Sequence, residues 1–343
     1  MTTGYIYDPI YLEHDLRGHP ENAQRLTTTL HVLGEHGMLA RLTPIPAVPV
    51  SQERLERVHS RAYIQRVQRF AEAGGGNLDP DTYVRPASYD AALMAAGGLV
   101  EATQAVLDGQ VANAFALVRP PGHHALRERA MGFCLFNNVA VAARYALAER
   151  GLERVLIVDF DVHHGNGTQA EFEADPAVMF ISTHQYPHYP GTGRCDETGV
   201  GAGQGGVVNV PLSGGVGDQG FARIAEEVIG PAARRTQPQL ILVSAGYDAH
   251  WDDPLAAMQL SVTGYTALAR ALRDLAGELC DGRLVFTLEG GYHLQALAYS
   301  ILNTFAVLSG AGDWKLVDPL GPSPYDERPV DEIIARVRRV HGL

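Results

Sequence analysis

Cysteine is scarce in this chain. Its 343 residues include three, Cys134, Cys195 and Cys280, far apart and without Cys-x-x-Cys spacing. An odd, scattered set argues against a disulfide framework and places the protein in a reducing compartment, the cytoplasm. Long apolar runs are missing too, so no membrane span is expected. The opening MTTGYIYDPI has neither the basic nor the apolar region of a signal peptide. Basic clusters are absent, and the net charge is −12. A nucleic-acid partner is therefore not expected, because phosphate contacts need clustered Lys and Arg. There is no internal repeat and no low-complexity linker to mark a domain boundary. The glycine-rich stretches 74–76, 201–206 and 213–217 lack the strand and helix context of a phosphate cradle and read as surface loops.

What is present suits a well-packed globule with many tight turns: 46% hydrophobic residues, 19% charged, 37 glycines and 20 prolines. Apolar strand candidates alternate with helix candidates. Strands are expected at Ala114–Val118, Val155–Phe160, Val178–Ser182, Leu240–Ser244 and Leu284–Leu288. Helices are expected at Asn138–Arg150, Gly220–Arg235, Thr263–Leu279 and Tyr292–Leu308. Continuous apolar strands separated by helices predict an α/β fold whose parallel sheet is covered on both faces.

Four of these strands end in unusual sequence: RPPGHHA (119–125), DFDVHHGNG (159–167), SAGYDAH (244–250) and EGGY (289–292). In open parallel sheets ligands bind at the carboxyl ends of the strands, so these distant segments can share one pocket on one sheet. In extended chain Asp159, Asp161 and His163 point the same way. Asp161 and His163 then offer an oxygen and an imidazole nitrogen to one divalent metal, with zinc a good match. Asp248 follows its own strand in the same manner and would complete three ligands with an open position, as catalytic zinc requires; the other reading of Asp248 is a helix N-cap. His123 and His124 could share acid and base work beside the metal, oriented by Asp159 and Asn166, and the carboxylate partner would favour the charged ring. Tyr292, freed by Gly290 and Gly291, could donate to a developing oxyanion or could be an ordinary core tyrosine. Phe133 and Tyr189 could wall a narrow slot or simply pack.

Together RPPGHHA, GFCLFNN, DFDVHHGNGT, HYPGTG, SAGYDAHWDDPL and LEGGY resemble the histone deacetylase family, within the superfamily that includes arginases. The stretches HDLRGHPENAQRL (14–26) and LDPDTYVRP (78–86) are similar as well. The resemblance covers roughly residues 5–310. Asn166 gives it the flavour of class II enzymes and their bacterial amidohydrolase relatives. It implies the arginase/deacetylase fold, a mainly parallel sheet of about eight strands between helices, in a single deacetylase domain over 1–343. It implies a zinc-dependent amidohydrolase that removes acetyl or other short acyl groups from lysine side chains by metal-activated water attack. Asp161, His163 and Asp248 would bind zinc, and His123, His124, Asp159, Asn166 and Tyr292 would be catalytic. Gly132, Phe133, Tyr189, Leu255, Gly290 and Gly291 would meet the substrate. One potassium ion would sit among Asp159, Asp161, His163, Ser182 and Thr183, and a second among Phe172, Asp175 and Val178.

Rival readings meet obstacles in the sequence. An arginase-like two-manganese site needs a second carboxylate where Gly165 stands. Polyamine-selective relatives carry a Glu after Asp-Pro, and here Asp253-Pro254 is followed by Leu255. A non-catalytic acyl-lysine-binding protein would be expected to have lost a ligand, a tandem histidine or the tyrosine. The expected partners are thus an acetyl-lysine protein or peptide, or a small acetylated amine. An oligomer is compatible with the sequence.

Overall fold

The computed structural model describes residues 2–312 and 314–343. Its main sheet has eight strands: β1 (Thr3–Ile6), β2 (Thr43–Ile45), β5 (Asn113–Ala116), β6 (Val155–Asp159), β7 (Val178–Gln185), β8 (Val207–Leu212), β9 (Leu240–Ala245) and β10 (Leu284–Leu288). The order is β2-β1-β5-β10-β9-β6-β7-β8, and every neighbouring pair is parallel. A separate antiparallel ribbon joins β3 (Gly76–Asp79) to β4 (Thr82–Val84).

The central strands are buried at every position, which is why they read as continuous apolar runs instead of alternating ones. Helices cover them in two groups. One comprises α1 (Gln24–Glu35), α7 (Asp218–Ile224), α8 (Gly230–Thr236), α9 (Val262–Leu279) and α10 (Leu294–Leu308). The other comprises α2 (Gln52–Glu56), α3 (Arg61–Glu72), α4 (Ser88–Leu107), α5 (Asn138–Arg150) and α6 (Asn166–Phe172), while α11 (Asp331–His341) packs beside edge strand β8. Local signals set the ends. Asn137 caps α5 by accepting from the Ala140 N–H at 3.0 Å, and Gly151, at φ 67°, ends it in the left-handed conformation.

Several expectations shift. Gly76 opens strand β3, so 74–76 leads into the ribbon; a Cβ on Gly75 would lie 2.1 Å from the Val84 carbonyl oxygen. The expected helix 220–235 is interrupted by a π-helical segment, Ala225–Ile229. β7 runs on to Gln185 and so includes Thr183. α10 begins at Leu294, with the His293 ring as its cap, so Tyr292 lies in the loop before the helix.

β5, β10, β9 and β6 are consecutive in the sheet. The four unusual segments therefore emerge side by side at its carboxyl edge, although 170 residues of sequence separate 119 from 289. Among the described residues no helix is long and apolar enough to cross a membrane.

Candidate active site

β6 ends at Asp159, and the chain beyond it turns on its own carboxylates. The Asp161 N–H donates to Asp159 Oδ1 at 3.1 Å and the His163 N–H to Asp161 Oδ1 at 2.9 Å. These turns leave Asp161 and His163 facing Asp248, which arrives from the end of β9. His163 Nδ1 lies 3.1 Å from Asp161 Oδ1 and 3.2 Å from Asp248 Oδ2. Asp248 heads no helix; its Oδ1 accepts the Val162 N–H at 2.9 Å, so the N-cap reading is set aside. All three side chains are buried.

The donor set fits a divalent metal. Ligand atoms of Asp161, His163 and Asp248 lie within 4.8 Å of one another. Asp248 Oδ2 is buried with no well-aligned hydrogen bond, its near neighbour being the His163 ring at 3.2 Å, and a cation would relieve that costly state. Glycines make the room: a Cβ on Gly290 would lie 2.1 Å from Asp248 Oδ2, and one on Gly246 2.0 Å from Asp161 Oδ2. Burial opposes charge on His163, but hydrogen bonds and attraction from Asp161 and Asp248 hold its pKa up to about 10. The same two carboxylates would favour a metal ion, which displaces a proton from its imidazole ligand. A second buried trio, His123, Cys134 and Glu289, is also compact. It differs in that Glu289 is fully engaged, accepting from Gly122 N, His123 N and Ser244 Oγ, while the Cys134 thiol donates to the Gly132 carbonyl.

The tandem histidines follow β5 through the turn at Pro120–Gly122. Their rings lie 4.0 Å apart, and each is oriented by a different partner. His123 Nδ1 is 2.9 Å from Asp159 Oδ2; His124 Nδ1 is 2.7 Å from Asn166 Oδ1. Burial disfavours charge on His123, yet the Asp159 and Asp161 carboxylates outweigh it and raise its pKa to about 10. Burial, and then repulsion from His123 and His163, pushes His124 well below the usual imidazole range. The surroundings thus favour the charged form of His123 and the neutral form of His124. With Asn166 Oδ1 accepting from Nδ1–H, the His124 lone pair sits on Nε2.

A narrow cavity of about 70 Å³ stands over these groups. His123, His124, His163, Gly132, Phe133, Tyr189, Leu255, Gly290 and Tyr292 line it, joined by Asp81 and Pro121. The Phe133 and Tyr292 rings meet edge to face at 5.8 Å, and Tyr189 meets His124 in the same way at 5.1 Å. Phe133 has φ 66°, and a Cβ on Gly132 would lie 2.2 Å from the His124 ring, so this turn approaches the base closely. Burial raises the Tyr292 hydroxyl well above the usual phenol range, which keeps its proton available for donation. Gly291 does not line the cavity; its carbonyl accepts from Arg25 Nε at 2.7 Å behind the loop.

The residues assigned by resemblance to potassium divide in two. Asp159 is in register with Ser182 across β6 and β7, and the neighbouring Thr183 Oγ is buried without a partner. Phe172, Asp175 and Val178 follow one another through backbone bonds, Asp175 N to Phe172 O and Val178 N to Asp175 O, while the Asp175 side chain pairs with Arg144.

Sequence reasoning passed over several residues of the site. Asp81 lines the cavity and accepts the Gly132 N–H at 3.2 Å; His19 packs edge to face on Phe133 at 4.6 Å. Both lie in the two stretches already noted, 14–26 and 78–86. Arg25, Glu21 and Arg119 form a fully buried ion cluster behind Tyr292, with the Arg25 guanidinium 5.1 Å from its ring. Nothing in one sequence joins the Glu21–Arg25 pair to Arg119 and Tyr292, which lie so far along the chain.

Comparison with known proteins follows the same lines. The histone deacetylase domain family matches residues 19–308. A probable deacetylase of Archaeoglobus fulgidus is 42% identical over 314 residues, covering 90% of this chain and 87% of that protein. The human protein named polyamine deacetylase HDAC10 is 40% identical over 315 residues, covering 88% of this chain and 46% of that protein. A crystal structure of the HDA15 HD domain superposes with a TM-score of 0.91 at 37% identity, covering 99% of this chain and 95% of that one. The eight-stranded parallel sheet with its helices is the arginase/deacetylase fold.

Proposed function

The chain belongs to the histone deacetylase family and is a deacetylase; from that premise we propose that it removes acetyl or other short acyl groups from lysine side chains in a zinc-dependent hydrolysis. The observation that carries this reading is the pair of buried histidines, one oriented by a carboxylate and one by an amide, beside three metal-type donors at the foot of a narrow aromatic-walled cavity.

Asp161, His163 and Asp248 would hold the zinc. Bound there, the ion polarises an amide carbonyl and lowers the pKa of water toward neutrality. The remaining work falls to the chain's own groups. His124 Nε2 takes the proton of the attacking water as its oxygen bonds to the acyl carbon. Asn166 keeps the other ring nitrogen protonated, which fixes the tautomer. Tyr292 donates its hydroxyl to the oxyanion that develops at the acyl oxygen. A protonated histidine of the pair then delivers a proton to the lysine nitrogen as the C–N bond breaks, giving carboxylate and amine. Phe133 and Tyr189 flank the aliphatic stem, with Gly132 and Gly290 leaving room for it and Leu255 at the wall. Potassium at Asp159, Asp161, His163, Ser182 and Thr183, and at Phe172, Asp175 and Val178, would have a structural role. The work is done by one deacetylase domain spanning 1–343, in a reducing cytoplasm that suits three buried free thiols.

A small acetylated amine is the second reading. The net charge of −12 and Asp81 at the cavity favour a cation, but Leu255 offers a distant ammonium nothing. The test is turnover of metal-stripped protein, given zinc, on an acetyl-lysine peptide beside acetylputrescine. Zinc-restored release from the peptide, with at least tenfold lower kcat/KM on the amine, is expected. The reverse ratio transfers the protein to acetylated amines, and failure to turn over either overturns the proposed chemistry.

A further inference from the structure

Tyr292 and Leu255 line the cavity from different loops, and one buried carboxylate binds both. Asp253 Oδ2 accepts the Tyr292 N–H at 2.7 Å and the His293 N–H at 3.1 Å, while its Oδ1 accepts the Leu255 N–H at 3.0 Å. It is 6% exposed, and no cationic side chain pairs with it in an ion pair among the described residues. Burial and then the nearby Asp248 raise its pKa to about 7 against the pull of these bonds, and both of its oxygens are directed at backbone amides, among them those of two residues that line the cavity.

The loop after β10 is gripped along its length. Arg25 donates to the Glu289 carbonyl at 2.5 Å and to the Gly291 carbonyl at 2.7 Å. The Gly290 N–H donates to Asp161 Oδ2 at 2.8 Å, and the Gly290 carbonyl accepts from Tyr247 N at 3.0 Å. Asp253 holds the amides of Tyr292 and His293. Without it, the tyrosine would stand on a glycine pair whose second member, Gly291 at φ 115°, has no conformational preference of its own to resist rotation.

We propose that Asp253 is the positioning residue that fixes the Tyr292 hydroxyl over the reacting carbonyl and, through Leu255, sets the facing wall of the cavity. Both carboxylate oxygens are needed as acceptors. An amide at this position would turn an NH2 group toward at least one backbone N–H. The inference rests on the assignment of Tyr292 as the oxyanion donor.

The experiment is a double-mutant cycle in the zinc-loaded enzyme, with Tyr292→Phe, Asp253→Asn and the pair, reading kcat and KM on an acetyl-lysine peptide and melting temperature on each protein. Tyr292→Phe should lower kcat on the order of 10²- to 10³-fold, the cost of one oxyanion donor. Asp253→Asn should lower kcat about 10²-fold, the cost of misplacing a catalytic group by roughly 1 Å. In the double variant the second change should cost less than about threefold more, because the hydroxyl it would misplace is gone. A purely structural Asp253 would lower kcat by the same factor in both backgrounds, and that outcome overturns the proposal, as does an unchanged kcat for Asp253→Asn. An unchanged kcat for Tyr292→Phe overturns the donor assignment instead, so the two failures are separable. Should Asp253→Asn not fold, hydrogen exchange on the unmodified protein decides. Protected amides at Leu255, Tyr292 and His293 support the assignment, and free exchange at them overturns it.

Discussion

Gly290 has no side chain to contribute, yet the metal-type donors depend on that lack. A methyl group there would lie 2.1 Å from Asp248 Oδ2 and 2.6 Å from Asp161 Oδ2, distances that force both carboxylates to move. The Gly290 amide also donates to Asp161 Oδ2, so a shift of the loop would remove an orienting bond as well. Gly290→Ala is therefore expected to weaken zinc binding by about ten- to hundredfold, the range found when partners of metal ligands are disturbed. Competition against a chromophoric chelator measures this directly. Unchanged zinc affinity in the variant would show that Asp161 and Asp248 are not the ligands. Single residues of this kind are legible in sequence only through neighbours: the glycine pair was visible, but not which of the two crowds the carboxylates and which turns its carbonyl to Arg25.

At the scale of elements, legibility follows burial. β6, β9 and β10 are apolar without interruption because helices cover both faces, and the sharp change to Asp, His and Gly at their ends marks the site. α4 carries no such mark. It is buried for most of its length, and Gly97 and Gly98, which locally disfavour a helix, sit inside it because a Cβ on Gly97 would lie 1.8 Å from the Val48 carbonyl oxygen. Close packing there outweighs propensity, and only the assembled fold reveals it. The connection from β7 to β8 is another such case. It brings Tyr189 over the cavity, and its hold is a polar network that runs from the surface into the interior: Glu197 accepts from Gly193 N, Arg194 N and Gln169 Nε2, while His164 bonds Thr192 and Gln169. Glu197→Ala should loosen this loop and with it the Tyr189 wall. The expected result is a fall in kcat/KM of roughly tenfold, carried mainly by KM, less than the hundredfold of a misplaced catalytic group. A kcat loss at constant KM would mean that the loop acts on the chemistry and not on the wall.

For the whole molecule, the response to acid is set by polar groups enclosed with no room for a proton. His59 is the clearest. Its Nδ1 bonds the Leu126 carbonyl at 3.0 Å and its Nε2 accepts the Asn137 N–H at 2.9 Å, which joins the turn before α3 to the start of α5. Protonation would set an N–H against the Asn137 N–H. Burial accordingly lowers its pKa from 6.5 to about 4, despite the bond to Leu126. The unfolded chain then binds the proton more readily than the native protein between these values. Stability is full above pH 6.5 and declines as pH falls toward 4, at up to about 1.4 kcal/mol per unit from this one group. Denaturant unfolding at pH 7 and pH 5, with chelator present so that metal release does not contribute, checks this. His59→Gln should be less stable at pH 7, since a core contact is disturbed, yet lose less than the unmodified protein between the two conditions. Equal losses in both would mean that the acid sensitivity resides elsewhere, with the buried ion cluster of Glu21, Arg25 and Arg119 the next group to test.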